Sequence, residues 1–298
     1  MKIEFVPHAD IDKTKWNSCV HYANNGNVFG YKWFLDFVAK DWDALVEGDY
    51  ESVLPLVWRK GLAGGKELHQ PPLMRELGVY SIHALSTKRV NNFLQAIPSE
   101  YRMIEMVVNE QINLPAQHDF KVTELLNHQL LLLENYDVIA ANYTETLHTQ
   151  LARASESYLV ATTNLKPEKI ADFYQKYTLD RQHLTRNFHA LQRIMYNVLH
   201  RGWGFASGIE SAEGELLAAN FFIYSHHKVL SLMPLESPAG AKVGALALLF
   251  DMLIRTHAGR PMILDFNTSR QDNLALHLGA RENIYYKIRQ DKRWLGLF

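Results

Sequence analysis

The stretch Glu215–Ala280 reads ELLAANFFIYSHHKVLSLMPLESPAGAKVGALALLFDMLIRTHAGRPMILDFNTSRQDNLALHLGA, and it decides the fold. Two largely apolar runs, Leu216–Tyr224 and Lys228–Glu236, predict strands joined by a tight turn. The apolar segment Leu246–Gly259 predicts a long helix, and Met262–Phe266 predicts a short buried strand. This order of elements indicates a mixed sheet with helices packed on it, which is an α/β arrangement.

The small residues of Ser237–Ala245 predict a turn that opens the helix. Backbone N–H groups at a helix start are unpaired and lie at the positive end of the helix dipole, so they favour anions such as pyrophosphate. We expect the N–H groups of Lys242, Val243 and Gly244 to hold a pyrophosphate, with the Lys242 ammonium adding charge. The alternative is a plain helix start in which glycine allows close packing against the sheet. The predicted donor-binding residues are Leu235, Gly240, Lys242, Val243, Gly244, Ala245 and Asn267.

Composition excludes several classes of protein. The 298 residues include 31 Lys plus Arg and 32 Asp plus Glu, so no strong general attraction to DNA or RNA is expected. The single cysteine, Cys19, cannot form an internal disulfide, and we expect a small buried side chain there. The chain begins without an apolar signal-peptide core, and no apolar run is long enough to span a membrane, so we expect a cytoplasmic protein.

We expect no bound metal. The 14 histidines follow no metal-binding spacing such as HExxH, and one cysteine cannot build a cysteine-rich zinc site. His226 and His227 are adjacent, and neighbouring side chains of a strand point in opposite directions. A structural zinc is therefore rejected.

The order of elements occurs twice along the chain. Each half can be written as β-α-α-β-β-β-α-β followed by a terminal strand region, although few residues are identical between the halves. We therefore predict two closely packed domains, residues 1–134 and 135–298, without a flexible linker between them.

This order resembles the GNAT (Gcn5-related N-acetyltransferase) fold, and two copies in one chain resemble the FemAB-like branch of acyl and aminoacyl transferases. The runs VFGYKWFLD (Val28–Asp36) and QPPLMRELGVYS (Gln70–Ser81) are similar to the N-terminal half of FemAB-like proteins. LDFNTS (Leu264–Ser269) with LGA (Leu278–Ala280) resembles their C-terminal half. The resemblance implies two tandem GNAT-like domains, of which the second binds the donor.

Three residues are predicted to be catalytic, because acyl transfer to an amine needs a base and groups that stabilise charge. Glu236, at the end of a strand, is the predicted base; the alternative is a solvated carboxylate at a strand end. Asp265 follows a buried strand that faces the same cleft, although it could also cap the next helix or pair with Arg270. His277 could protonate the leaving group, and the alternative is a histidine that packs a helix.

The acceptor side is predicted in the first half of the chain. Tyr31 and Trp33 could line a cleft for the substrate, although a helix burying its apolar face explains them equally well. Gln70 precedes two prolines at an irregular exit from a strand, where substrate loops often lie.

The resemblance implies a monomeric transferase that moves an acyl or aminoacyl group to the primary amine of a small molecule or peptide, by direct attack in a ternary complex. Acyl-CoA, such as acetyl-CoA, is the expected co-substrate, and the basic end KIRQDKRW keeps aminoacyl-tRNA open as donor.

One alternative is a catalytically inactive module that binds a small molecule or a cell-wall precursor. It is suggested by Ala241, where the GNAT turn has Gln or Arg, and by a missing tyrosine near His277. A further alternative is a protein that binds tRNA or a peptidoglycan precursor. It would have a positively charged groove formed by Lys287, Arg289, Lys292 and Arg293.

Overall fold

The computed structural model describes residues 2–61, 65–110, 112–114, 116, 118–163, 165–178 and 181–292, with the backbone alone for 181–186. The chain forms two compact units. Unit 1 runs to Leu125 and takes in the chain again from Ile284, and unit 2 is Leu126–Asn283. Unit 1 thus ends before the predicted boundary at residue 134 and includes the last strand of the chain.

Unit 1 contains one mixed sheet and three α-helices in its described part. Its strands are β1 (Ile3–Val6), β2 (Asp41–Glu47), β3 (Ser52–Lys60), β4 (Lys66–Leu68), β5 (Tyr80–Ser81), β6 (Tyr101–Val108) and most of β14 (Arg281–Asp291). Its helices are α1 (Lys13–Tyr22), α2 (Lys32–Val38) and α3 (Thr87–Gln95). The strand order is β1-β2-β3-β4-β6-β14, and β4 and β6 form the parallel pair among antiparallel neighbours.

Unit 2 repeats this plan. Its strands are the second half of β7 (Lys121–Leu131), β8 (Val160–Thr163), β9 (Gly204–Glu210), β10 (Leu216–Ser225), β11 (Lys228–Ser231), β12 (Leu235–Glu236) and β13 (Ile263–Asp265). Its helices are α4 (Tyr136–Ala140), α5 (Glu145–Glu156), α6 (Pro167–Tyr177), α7 (Arg181–His200), α8 (Pro238–Val243), α9 (Ala245–His257) and α10 (Asn273–His277). The order is β8-β9-β10-β11-β13-β7, with β11 and β13 parallel and the other neighbours antiparallel.

The two strand orders correspond position by position. The short strand β5 pairs with β3 in unit 1, as β12 pairs with β10 in unit 2. The last position of the sheet is filled by β14 in unit 1 and by β7 in unit 2. The predicted repeat of a mixed α/β unit is therefore confirmed.

The local signals explain most elements. Helix α1 begins at Asp12, whose carboxylate accepts hydrogen bonds from the N–H groups of Thr14 and Lys15. Ser86 caps α3 in the same way. Strand β7 is continuous through Asn127, whose buried side chain is hydrogen-bonded to Asp265.

Each unit has its own apolar core. In unit 2, α9 lies against the sheet, and Phe250 packs edge-on to Phe222 of β10 and close to Phe266. In unit 1, Trp16 and Phe34 are fully buried. Each core holds the strands of its unit in place. It thereby also positions the residues that follow the parallel strands, β4 and β6 in unit 1 and β11 and β13 in unit 2.

Candidate functional site

The parallel strands β11 and β13 of unit 2 end together. Their pairing runs from Lys228 and Ile263 to Leu230 and Asp265, after which the chain from β11 leaves toward β12. The carboxyl ends of parallel strands are where open α/β sheets most often bind ligands. The residues around this point are therefore the candidate site.

Asp265 is completely buried at the end of β13 and is surrounded by donors. One carboxylate oxygen accepts from Asn127 Nδ2 at 3.0 Å and from the Asn267 N–H at 2.9 Å. The other accepts from Gln129 Nε2 at 3.1 Å and from Lys228 Nζ at 3.2 Å. A buried carboxylate with four donors is satisfied. This geometry describes a residue that ties β7, β11 and β13 together, rather than one that is free to take a proton.

Beyond Leu230 and Asp265 the strands β11 and β13 no longer pair, and Asn267 bridges the gap between the two chain segments that follow them. Its φ of +57° lies in the left-handed region, which asparagine tolerates better than most residues. Its Nδ2 donates to the Leu232 carbonyl at 3.2 Å, across the gap. Its Oδ1 is buried and has no hydrogen-bond partner among the described residues. This oxygen is therefore an unsatisfied buried acceptor in this part of the structure.

The predicted turn Ser237–Ala245 is helical, so that expectation is wrong. Ser237 Oγ accepts from the Gly240 N–H at 3.0 Å, and Pro238 occupies the first position of α8. The helix ends at Gly244, which has a φ of +72° and donates its N–H to the Gly240 carbonyl. Lys242 and Val243 lie inside α8, and the Lys242 side chain is exposed. The N–H groups expected to bind pyrophosphate are therefore used within the helix.

Both glycines of this segment are required by packing. A Cβ at Gly240 would lie 2.3 Å from the carbonyl oxygen of Leu217, and one at Gly244 would lie 2.5 Å from that of Gln150. The backbone of α5 thus lies directly against the start of α9. This is the alternative role for glycine that the sequence left open.

Glu236 lies at the start of α9. It is the last residue of β12, where it pairs with Ala218 of β10, and its side chain is half-buried. Its Oε2 accepts from the Leu246 N–H at 3.4 Å. Glu236 thereby caps α9, because the residue at the N-cap position, Gly244, has no side chain that could do so. Burial raises the pKa of the Glu236 carboxyl, and the Leu246 N–H acts in the opposite direction. A carboxyl group with a raised pKa is a better proton acceptor than an ordinary one.

His277 contacts a different part of unit 2. Its Nδ1 lies 2.9 Å from Thr144 Oγ1, and its carbonyl accepts from the Thr144 N–H. Thr144 is the residue that caps α5. His277 therefore anchors the start of α5, and the three predicted catalytic residues each have separate partners.

The remaining predicted donor-binding residues are structural in this geometry. Leu235 pairs with Ala219 in the sheet, and Ala245 is fully buried at the first position of α9. The buried Oε1 of Gln150 has no partner among the described residues. Sequence reasoning did not identify Gln150, because nothing in the sequence of α5 indicates that its backbone meets Gly244.

The N–H groups of Lys242, Val243 and Gly244 do not form the pyrophosphate site that was predicted for them, because they belong to α8 and its C-cap. A phosphate needs donors, whereas the Glu236 carboxylate adds an acceptor beside the start of α9, and Asn267 Oδ1 and Gln150 Oε1 are buried acceptors with no partner among the described residues. An anion bound here would also lie close to the Glu236 carboxylate, and two negative charges repel each other. Acceptors of this kind suit an amine or another hydrogen-bond donor.

The predicted acceptor residues lie in unit 1. Tyr31 is half-buried with its hydroxyl 3.2 Å from His21 Nδ1, and Trp33 packs against Phe34 and Phe37. Gln70 Nε2 donates to the Met74 carbonyl, and its Oε1 accepts from the Val107 N–H. Gln70 thus fastens its own segment to β6.

The predicted positive groove is partly neutralised. Lys287 pairs with Glu105 at 2.8 Å, and Arg289 faces Glu105 in the strand register. Lys292 donates its backbone N–H to the Arg102 carbonyl. Arg293 lies outside the described residues.

The described part of the chain shows neither a metal centre nor a membrane-spanning helix. It contains no group of three or more His, Cys, Asp or Glu side chains placed to hold a metal ion. Within the same residues, every helix is too short or too polar to cross a membrane.

Comparison with known proteins identifies the fold. No protein-family model and no curated protein sequence matches the chain significantly. Among solved structures, FemX has a TM-score of 0.60 at 9% identity, with 96% of this chain and 97% of FemX covered. L-PGS from Bacillus licheniformis has a TM-score of 0.55 at 10% identity, covering 96% and 94%. A tandem GNAT protein from the clavulanic acid biosynthesis pathway has 0.52 at 15%, covering 97% and 98%.

These similarities extend over essentially the whole chain. The fold is therefore a tandem GNAT-like, FemAB-like fold, as the sequence predicted. It is a fold of acyl and aminoacyl transferases. At these identities the reaction itself does not follow from the fold.

Proposed function

We propose that this chain transfers an acyl or aminoacyl group to a primary amine, and that the amine binds in unit 2 at the start of α9. The observation that carries the proposal is Glu236, a half-buried carboxyl group with a raised pKa at the end of β12, beside the start of α9. Its Oε2 is held by the Leu246 N–H, which leaves Oε1 able to contact a substrate.

In the proposed reaction, the amine enters as an ammonium ion, because primary amines are mostly protonated at neutral pH. Glu236 Oε1 accepts one proton, and the nitrogen lone pair attacks the carbonyl carbon of the donor. The bond from that carbon to the leaving oxygen or sulfur then breaks, and the second proton of the attacking nitrogen passes to the leaving group, so that an amide and a free hydroxyl or thiol are formed. The positive end of the α9 dipole favours the negative charge that develops on the carbonyl oxygen.

The donor is an ester or thioester that is not held by pyrophosphate at Lys242–Gly244. This choice rests on the helical state of α8, in which Lys242 and Val243 lie. Aminoacyl-tRNA and an acyl-CoA bound elsewhere both satisfy this condition. The acceptor is a small molecule or peptide that presents a primary amine.

The test is a transfer assay with acetyl-CoA and with aminoacyl-tRNA over a panel of primary amines. We expect one donor to be consumed only when an amine is present. Glu236→Gln should lower kcat by a factor of about 10² to 10⁴, the usual contribution of a general base. Glu213→Gln, a change of an exposed carboxylate on the turn before β10, should leave the rate unaltered. Equal rates for Glu236→Gln and the parent chain would refute the role of Glu236.

A second candidate is a module that binds an amine without transferring anything to it. It is favoured by the start of α9, where Glu236 and the backbone of α5 occupy the region of the predicted phosphate site. In that case a bound amine should raise the melting temperature, because at a concentration 100 times its Kd it adds about 2.7 kcal/mol to the free energy of unfolding. Neither donor should be consumed.

A further inference from the structure

Unit 2 contains a concave site at the other end of α9 from Glu236. A pocket with a volume of about 290 Å³ lies between the C-terminal half of α9 and one face of β8, β9 and β10. Its walls include Phe205, Phe222, Leu249, Met252 and Leu253. An apolar cavity of about 150 Å³ is enough to hold benzene, so this volume suits a substituted ring or a short branched chain.

One polar edge of the pocket is formed by Tyr224 and His257. His257 Nδ1 lies 2.9 Å from the Leu253 carbonyl, which can only accept, so Nδ1 carries the proton. Burial lowers the pKa of His257, which favours the neutral ring. Its Nε2 is then an acceptor, and the Tyr224 hydroxyl, 2.7 Å away, donates to it. The Tyr224 oxygen keeps its lone pairs for another partner.

Three other hydroxyl groups line the pocket: Thr163 is exposed, and Ser207 and Thr256 have used their protons on backbone carbonyls. Ser207 Oγ donates to the Thr162 carbonyl at 3.4 Å, and Thr256 Oγ1 donates to the Met252 carbonyl at 2.8 Å. No residue that lines this pocket is Asp, Glu, Lys or Arg. These polar atoms can therefore accept hydrogen bonds. The lining itself has no charged side chain to pair with a bound ion, and the Arg260 charge acts on Tyr224 and His257 from outside it.

We propose that this pocket binds a small neutral molecule that has an apolar body and one hydrogen-bond donor, of the class of alcohols and phenols. The apolar body packs between Phe205, Phe222 and Met252, and its O–H donates to the Tyr224 oxygen. Apolar walls with a few placed polar groups are typical of small-molecule sites. The site is separate from the amine site at Glu236 and does not depend on it.

The test uses three probes of nearly the same shape: 4-ethylphenol, ethylbenzene and 4-ethylbenzoate. Binding is followed in the full chain through the ¹³C-labelled methyl group of Met252, which lines the pocket. We expect the Kd of 4-ethylphenol to be about tenfold lower than that of ethylbenzene, which corresponds to one net hydrogen bond. The anion 4-ethylbenzoate should not bind. Equal affinity for the phenol and the hydrocarbon would overturn the proposal, as would tight binding of the benzoate.

Two substitutions on β8 locate the binding. Ala161 lines the pocket, whereas Val160 points to the opposite face of the same strand, and both are exposed. Ala161→Trp should raise the Kd of 4-ethylphenol by more than about tenfold by filling the space, and Val160→Trp should leave it unchanged. The same Kd in both variants would place the ligand elsewhere and refute the proposal. If Ala161→Trp does not fold, nuclear Overhauser contacts from the bound phenol to the Met252 methyl decide the question in the parent chain.

Discussion

Unit 1 and unit 2 arrange their strands in the same order, but they treat the gap beyond their parallel strands differently. In unit 1, residues 69–79 connect β4 to β5, and Gln70 and Leu77 bond to both backbone groups of Val107 on β6. In unit 2, only residues 232–234 connect β11 to β12, and the gap is bridged by Asn267. Extra chain closes the gap in unit 1, so the candidate site is in unit 2.

The segment that closes unit 1 is anchored by buried charges. The Arg75 side chain is only 4% exposed and lies between Phe29 and Tyr285, with Glu76 and Glu110 as ion-pair partners. A buried ion pair is costly to break by removing one partner. This segment is therefore held firmly in unit 1, whereas the corresponding connection in unit 2 consists of residues 232–234 alone.

The position of Glu236 gives the sharpest test of this difference. Its counterpart in unit 1 is Ser81, the last residue of β5, which is fully buried and lies 2.9 Å from Ser52 Oγ. Ser81→Glu should destabilise the chain by about 4 kcal/mol, because it buries a carboxylate beside Glu47, which already pairs with Arg89. Ser81→Ala should cost about 1 kcal/mol.

The reverse exchange completes this test. Glu236→Ser should change the free energy of unfolding by less than about 1 kcal/mol, because the carboxylate is half-exposed and supplies one weak hydrogen bond. Urea unfolding of the three variants measures these values. Similar losses for Ser81→Glu and Glu236→Ser would show that the two positions do not differ in the way described.

The second prediction concerns the contact between α5 and the start of α9. Gly244→Ala should destabilise by about 3 kcal/mol, because the residue has a φ of +72° and its Cβ would meet the Gln150 carbonyl at 2.5 Å. Gly259→Ala is the matched control, since Gly259 has a φ of +79° with nothing within 4 Å of a Cβ. It should cost about 1 kcal/mol. Equal losses by thermal unfolding would mean that α5 does not restrict Gly244.

These pairs also show how far the sequence could be read. The repeat, the hairpins and the helix after Gly244 follow from local periodicity and turn residues, so the fold could be predicted. Ser237, Pro238 and Gly244 are a cap, a first-turn proline and a terminating glycine, which together indicate the helix α8. The prediction of a phosphate-binding turn for Ser237–Ala245 did not take these helix signals into account, and the segment is helical instead.

The rest of the site depends on contacts between distant residues. Asp265 meets Asn127 and Gln129 across more than a hundred positions of sequence, and Gly244 meets Gln150 from a different helix. Nothing in the sequence near Asp265 reveals its four donors. Burial and pairing of this kind are set by tertiary packing, so the sequence could name Asp265 as a site residue without revealing that it is already satisfied.

The third prediction compares the side chains that close the two gaps. Gln70→Ala should destabilise by about 2 kcal/mol, because it leaves the Val107 N–H and the Met74 carbonyl without their partner. Asn267→Gly should change stability by less than about 1 kcal/mol, since glycine adopts the left-handed conformation easily and one hydrogen bond is lost. A larger loss at Asn267 than at Gln70, measured by urea unfolding, would contradict the view that the gap in unit 1 is the more firmly closed.

The last and smallest effect is the pH dependence of stability at Glu236. Burial raises its folded-state pKa above the ordinary value of 4.5, so the folded chain holds this proton more tightly than the unfolded chain. Stability from this group is therefore greatest below pH 4.5 and decreases as the pH rises from there through the raised pKa. Glu236→Gln removes the titration while its amide oxygen can still accept from Leu246, so its stability relative to the parent should increase between pH 4 and pH 7. Glu213, whose pKa is lowered by its hydrogen bond to Ser211, should give the opposite trend in Glu213→Gln. A constant difference between Glu236→Gln and the parent across this range would show that Glu236 is not desolvated, and the basis for its role as the proton acceptor would be lost.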